Sequence, residues 1–196
     1  MNKTVQYYNN NAKDYFDSTV HADMSDHYKH FLKYLKAGAY ILDLGCGSGR
    51  DSRYFIEHGY KVKAVDGSKV MCLHAAQYLG QEVENLLFED ISFENEFDAV
   101  WASASLLHED KDRIDEVIHK IEIALKENGV FYVSFKCGNS DRIQGERYFN
   151  DMNEEKLRKL LESFTIQEIW FSDDVRPGRD DHWINCIATN NQNSLQ

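Results

Sequence analysis

One stretch, ILDLGCGSGR at Ile41–Arg50, restricts the possible folds of this chain more than any other. An apolar run reaches an acid, Asp43, and glycines then follow at positions 45, 47 and 49. That pattern is a buried strand turning into a helix. The glycines let the turn's backbone N–H groups approach a ligand closely. The dinucleotide fingerprint is G-x-G-x-x-G. Here the spacing is G-x-G-x-G, and Arg50 stands where the fingerprint has its last glycine.

The remainder of the chain alternates strands and helices. Short apolar or β-branched runs at 39–44, 61–65, 84–88, 97–103 and 130–136 read as buried parallel strands. A helical pattern spans 111–127, with Ile114, Val117, Ile118, Ile121 and Leu125 on one face. Gly38, Gly59, Gly80 and Gly129 each follow a helical stretch and precede a strand, as helix-stop glycines do. Two amphipathic helices come first, one with Val5, Tyr8, Ala12, Tyr15 and Phe16 on a stripe, the other with Tyr28, Phe31, Leu32 and Leu35. A helix near 154–162 precedes strands at 164–171 and 182–189, joined without a helix and so antiparallel. The expected class is α/β: a Rossmann-like, doubly wound sheet of seven strands, mostly parallel, with one antiparallel strand in the C-terminal hairpin and helices on both faces. The 196 residues suit one domain. Its N-terminal helices (1–37) cover the ligand site, the core is 39–136, and a substrate-side loop, helix and hairpin fill 137–189.

Ligands of such sheets bind at the carboxyl ends of the strands, where strand order reverses. A pyrophosphate next to Asp43 would meet like charge. S-adenosylmethionine carries a sulfonium and an ammonium, and fits that acid better. Asp66, before Gly67 at the end of the second strand, can accept ribose hydroxyls in either ligand. Asp90 and Ile91 follow the third strand, where a carboxylate and a backbone group can meet an adenine edge.

ILDLGCGSGR, Asp66, EDI, FDAVWASASLLHE and LKENGVFYVSFK resemble the ordered motifs of class I S-adenosylmethionine-dependent methyltransferases. The resemblance covers about residues 39–136 and implies cofactor contacts from Asp43, Gly45, Gly47, Asp66 and Asp90. Cys46, Gly67 and Ile91 complete the expected cofactor-binding set, with Cys46 alternatively a small residue packed in the loop. YYNNNAKDYF is similar to the N-terminal helix of the small-molecule branch, where a tyrosine lies over the cofactor's methionine end. Tyr7, Tyr8 and Tyr15 are the candidates, Tyr15 for the cofactor and Tyr8 for the substrate side. LDLGCGSGRDSRYF with GYKVKAVD is similar to the tellurite-resistance-type enzymes.

For the acceptor side, His108 follows the fourth strand together with Ser103 and Ser105. It serves either as a base for the nucleophile or as a structural hydrogen-bonding group. Arg176 and Arg179 lie in the loop before His182. They face an anionic substrate or pair with the local acids Asp173, Asp174, Asp180 and Asp181. Lys136, Arg142 and Arg147 can add positive charge to the same mouth, and 137–150 reads as a loop or lid.

The expected activity is methyl transfer to a small soluble acceptor, an anion being one candidate. The alternatives are a tRNA or RNA methyltransferase, a non-catalytic S-adenosylmethionine-binding regulator, and a dinucleotide-dependent reductase. The net charge of −11 argues against binding nucleic acid without a basic partner. No apolar run nears the ~20 residues of a membrane span. The polar start is no signal peptide. Cys46, Cys72, Cys137 and Cys186 show no metal spacing and suit reduced thiols in a cytoplasm. The last residues, from 190, are expected to fray.

Overall fold

The computed structural model describes residues 3–191, so most of the tail expected to fray lies outside the described residues. Helices α1 (Lys3–Asn10), α2 (Ala12–Thr19) and α3 (Ser25–Leu32) precede the sheet. The first stripe therefore belongs to two short helices and not to one. They break at Asn11, whose side chain donates to the Tyr7 carbonyl instead of prolonging the helix.

Strand β1 (Tyr40–Leu44) leads through the glycine loop into α4 (Arg50–Glu57). Next come β2 (Lys61–Asp66), α5 (Lys69–Leu79), β3 (Glu84–Asn85), β4 (Phe97–Ala102), α6 (Ile114–Ala124) and β5 (Leu125–Lys136). The small strands β6 (Asp141–Gln144) and β7 (Arg147–Asn150) precede α7 (Glu154–Leu160), β8 (Phe164–Asp173) and β9 (His182–Asn190). The main sheet has seven strands in the order β3-β2-β1-β4-β5-β9-β8. Only β9 runs against its neighbours, so β8 is parallel to the core strands and its carboxyl end lies on their ligand rim. Strand order reverses between β1 and β4, directly above the glycine loop.

The strands alternate faces with period two. Leu42, Leu44, Val100, Phe131 and Val133 pack on the side of α6 and α7. Ile41, Trp101 and Tyr132 pack on the side of Tyr28 and Phe31 of α3 and Phe55 of α4. Trp101 and Tyr132, neighbours on β4 and β5, stack at 3.8 Å beneath the substrate side.

Four local expectations need correction. Helix α6 spans 114–124, not 111–127, because Leu125 already pairs with Phe97 as strand. Asn128, not Gly129, takes the left-handed conformation there (φ 59°). Gly129 is needed for space: a Cβ on it would sit 2.8 Å from the Lys126 carbonyl. The third strand is only Glu84–Asn85, and the chain then turns through a short 3-10 segment at Phe88–Asp90. Finally, residues 141–150 form the hairpin β6–β7, turning at Gly145 (φ 63°), rather than an irregular loop.

Candidate active site

Two spaces meet on the sheet's carboxyl rim. An outer cleft of about 800 Å³ runs past Gly45, Gly47, Asp66, Gly67, Leu87 and Phe88. An inner chamber of about 110 Å³ lies beneath the β8–β9 loop and the β6–β7 hairpin. Tyr8, Tyr15, Gly45, Gly47, Ala104 and His108 belong to both.

The glycine loop shapes the cleft by close approach. Gly45 has φ 81°, and a Cβ there would sit 2.4 Å from Ser105 Cβ. A Cβ on Gly47 would meet the Tyr15 ring at 3.3 Å. Asp66 accepts from the backbone N–H of Gly47 (2.9 Å) and of Ser68 (2.8 Å). Burial pushes its carboxyl above the usual range, against those two hydrogen bonds. A carboxylate has about four acceptor positions, so two remain for hydroxyls in the cleft. Ser105 Oγ, also on the cleft, is buried without a hydrogen-bond partner. A cradle without Cβ atoms, a carboxylate at the end of β2 and an orphaned hydroxyl fit an adenosine cofactor with a small polar head.

Other predicted cofactor residues lie elsewhere. Asp43 is 1% exposed and faces below the loop, where it accepts from Ser52 Oγ at 2.6 Å. Burial and the nearby Asp51 push its carboxyl up. It supports the loop from underneath and does not line either space. Asp90 points to solvent and Ile91 is buried away from the cleft, because the 3-10 turn presents Leu87, Phe88 and Glu89 to the cleft instead. Cys46 lines the inner chamber rather than the cleft. Burial holds its thiol well above the usual range, so it is unreactive.

The inner chamber's floor is a network built on Asp51, at the start of α4. Asp51 accepts from Tyr28 OH (2.6 Å), Trp101 Nε1 (2.9 Å) and both arms of Arg50 (2.7 and 3.0 Å). Burial alone would raise its carboxyl, but the Arg50 charge and these donors hold it below the usual range.

His108 stands in the shared wall. Its Nδ1 is 2.7 Å from the Tyr148 carbonyl, so that nitrogen carries the proton. Nε2 is then the acceptor and takes the Tyr8 hydroxyl at 2.8 Å. Burial, with the Arg147 and Lys136 charges, pushes His108 down to about 4, and the imidazole is neutral at neutral pH. Both ring nitrogens are thus engaged, although the ring itself borders both spaces. The unfolded chain gains this proton near pH 6.5 while the folded chain resists it to about 4. Stability should therefore fall as pH drops through that window, by up to about 3 kcal/mol. Thermal melts at pH 7, 6, 5 and 4 check this, with His108→Gln expected to flatten that part of the profile.

Of the predicted substrate-side residues, Tyr8, Ser103 and Arg176 line the inner chamber. Arg176 is clamped by Asp174 through Nε (2.8 Å) and Nη2 (2.5 Å). Arg179 lies outside, exposed on the β8–β9 loop. Lys136 and Arg147 do line the chamber, whereas Arg142 is turned outward onto Asp151.

Comparison with known proteins bears on the domain and its fold. Residues 41–129, from β1 into β5, match the family model of a methyltransferase domain. This segment is thus similar to a class I S-adenosylmethionine-dependent methyltransferase domain. The chain is 31% identical over 109 residues to a sarcosine/dimethylglycine N-methyltransferase of Aphanothece halophytica. That match covers 51% of this chain and 39% of the relative, so the chain spans well under two thirds of the relative's length. The 1,6-didemethyltoxoflavin-N1-methyltransferase of Burkholderia thailandensis, solved with its substrate and S-adenosylhomocysteine, superposes with a TM-score of 0.77 at 25% identity. The superposition covers 96% of this chain and 85% of that one. The cyclase SpnF shares the fold alone, with a TM-score of 0.74 at 17% identity and coverage of 97% and 96%. No described helix of the chain is long and apolar enough to cross a membrane.

Proposed function

We propose that the protein transfers a methyl group from S-adenosylmethionine to a small soluble acceptor, an anion, held in the inner chamber. The observation carrying this reading is the shared wall. A nucleotide-sized cleft and a much smaller chamber share Tyr8, Tyr15, Gly45, Gly47, Ala104 and His108, so two guests would meet along that wall. Pockets that take drug-sized ligands measure roughly 300–1,000 Å³. The chamber is far below that range, and the acceptor is correspondingly small.

When bound, S-adenosylmethionine supplies a methyl already activated by its sulfonium. Asp66 would hold the ribose hydroxyls, with the backbone of Gly45 and Gly47 against the methionine end and Tyr15 beside it. The chain's main task is alignment, with reacting atoms ~3–3.5 Å apart. Tyr8 donates to His108 Nε2, and its oxygen, which also meets the Arg147 side chain, would accept from an acceptor N–H or O–H through its remaining lone pair. That contact orients the nucleophile, and Tyr8 is the proposed catalytic residue of this wall. The net charge of −11, with Asp173 exposed on the chamber's rim, disfavours an RNA backbone there. The likeness to SpnF keeps one second reading in view, a reaction on this fold other than methyl transfer.

Calorimetric titration with S-adenosylhomocysteine tests the cofactor. One-site binding is expected, none with NADH, and Asp66→Asn should weaken it about 10–100-fold through lost charge-assisted hydrogen bonds. No binding by the folded wild type would overturn the reading.

A further inference from the structure

Four cationic side chains line the inner chamber, and three have a carboxylate of their own. Arg50 is held by Asp51 and Arg176 by Asp174. Lys136 is held at 2.7 Å by Asp181, which reaches in from the β8–β9 loop. Arg147 is different. Among the described residues it forms no ion pair, and its Nε is buried without a hydrogen-bond partner. Its guanidinium lies 4.6 Å from the Tyr7 ring centroid and 5.1 Å from that of Phe149. These rings hold it flat without neutralising it. The remaining acid on the lining, Asp173, has an 85% exposed side chain turned to His182, where water screens it.

The chamber is thus three neutralised pairs and one uncompensated cation. We propose that Arg147 is the counter-charge for one carboxylate on the acceptor, and that the chamber selects small monocarboxylates. This rests on the acceptor reading above. The guanidinium fork matches a carboxylate in shape and charge. A phosphate monoester brings about −1.5 to −2 at neutral pH and would leave charge unmatched in a small, partly dry space. Arg147 also sits on β7 directly before Tyr148, whose carbonyl accepts from His108 Nδ1 and whose N–H donates to Thr4 Oγ1. A carboxylate on Arg147 therefore lies next to the Tyr8–His108 wall, which places the methyl-accepting atom a few bonds from the carboxylate.

The probes are acetate, its neutral counterpart acetamide, and the dianion malonate, each titrated by calorimetry or NMR into protein saturated with S-adenosylhomocysteine. Acetate should bind at least about tenfold more tightly than either. Arg147→Met should weaken acetate by about tenfold or more while the S-adenosylhomocysteine affinity stays within about twofold, and Arg147→Lys should keep part of the acetate affinity. Asp181→Asn, which frees Lys136, should shift preference toward malonate. Equal binding of acetate and acetamide, no acetate binding by the wild type, or acetate affinity unchanged in Arg147→Met overturns the proposal. If S-adenosylhomocysteine itself fails to bind, the cofactor reading fails separately. The same acetate titration of the cofactor-free protein then still decides the role of Arg147.

Discussion

Asp51→Ala is expected to cost about 3–5 kcal/mol of folding stability, measured by urea unfolding. The substitution strips the Arg50 guanidinium of its carboxylate and leaves it one long hydrogen bond, to the Thr19 carbonyl at 3.5 Å. It also leaves the Tyr28 hydroxyl and the Trp101 indole N–H without their acceptor. Each unsatisfied buried donor costs about 1–3 kcal/mol. Asp51→Asn keeps an acceptor oxygen and should lose less. In the Arg50→Met/Asp51→Ala double variant the uncompensated charge is gone, so part of the loss, about 1–3 kcal/mol, should return. If Asp51→Ala unfolds at the wild-type midpoint, the network is not what holds α4 against β4.

Gly45→Ala is the second large effect. A residue other than glycine at φ 81° costs about 1–2 kcal/mol, and the added carbon would sit 2.4 Å from Ser105 Cβ. The loop must move, and this loop borders both spaces. A stability loss of about 2–4 kcal/mol is expected, with S-adenosylhomocysteine binding weakened more than about 100-fold. Adding Ser105→Gly removes the atom that is struck. The double variant should recover the steric part and keep the backbone strain, which a double-mutant cycle measures. An unaltered affinity in Gly45→Ala would mean that the loop does not touch the cofactor.

The glycine loop and the core strands were legible because their signals are local: glycine spacing, β-branched runs and helix stops. Asp66 was legible for the same reason, standing at the end of a clear strand. Asp90 was not. Its strand shrinks to two residues, and the register beyond it is set by a 3-10 turn with no pattern of its own. The hairpin β6–β7 was unreadable as strand because four-residue polar segments are marginal alone. It is held by contacts to Thr4 and His108, far away in sequence. Asp51 was passed over because its partners Tyr28 and Trp101 lie 23 and 50 residues away. Arg147 was legible as a charge near the mouth. That it alone, among the lining cations, lacks a carboxylate is a property of the packed chamber.

The wall common to cleft and chamber couples whatever the two spaces hold. With the cleft empty, the small chamber opens past Tyr8 and Tyr15 into a space several times its size. An occupant of the cleft would supply the missing side, and a small guest would then rest against it. Acetate should therefore bind more tightly to protein saturated with S-adenosylhomocysteine than to the cofactor-free protein, and the reverse pair of titrations should show the same factor.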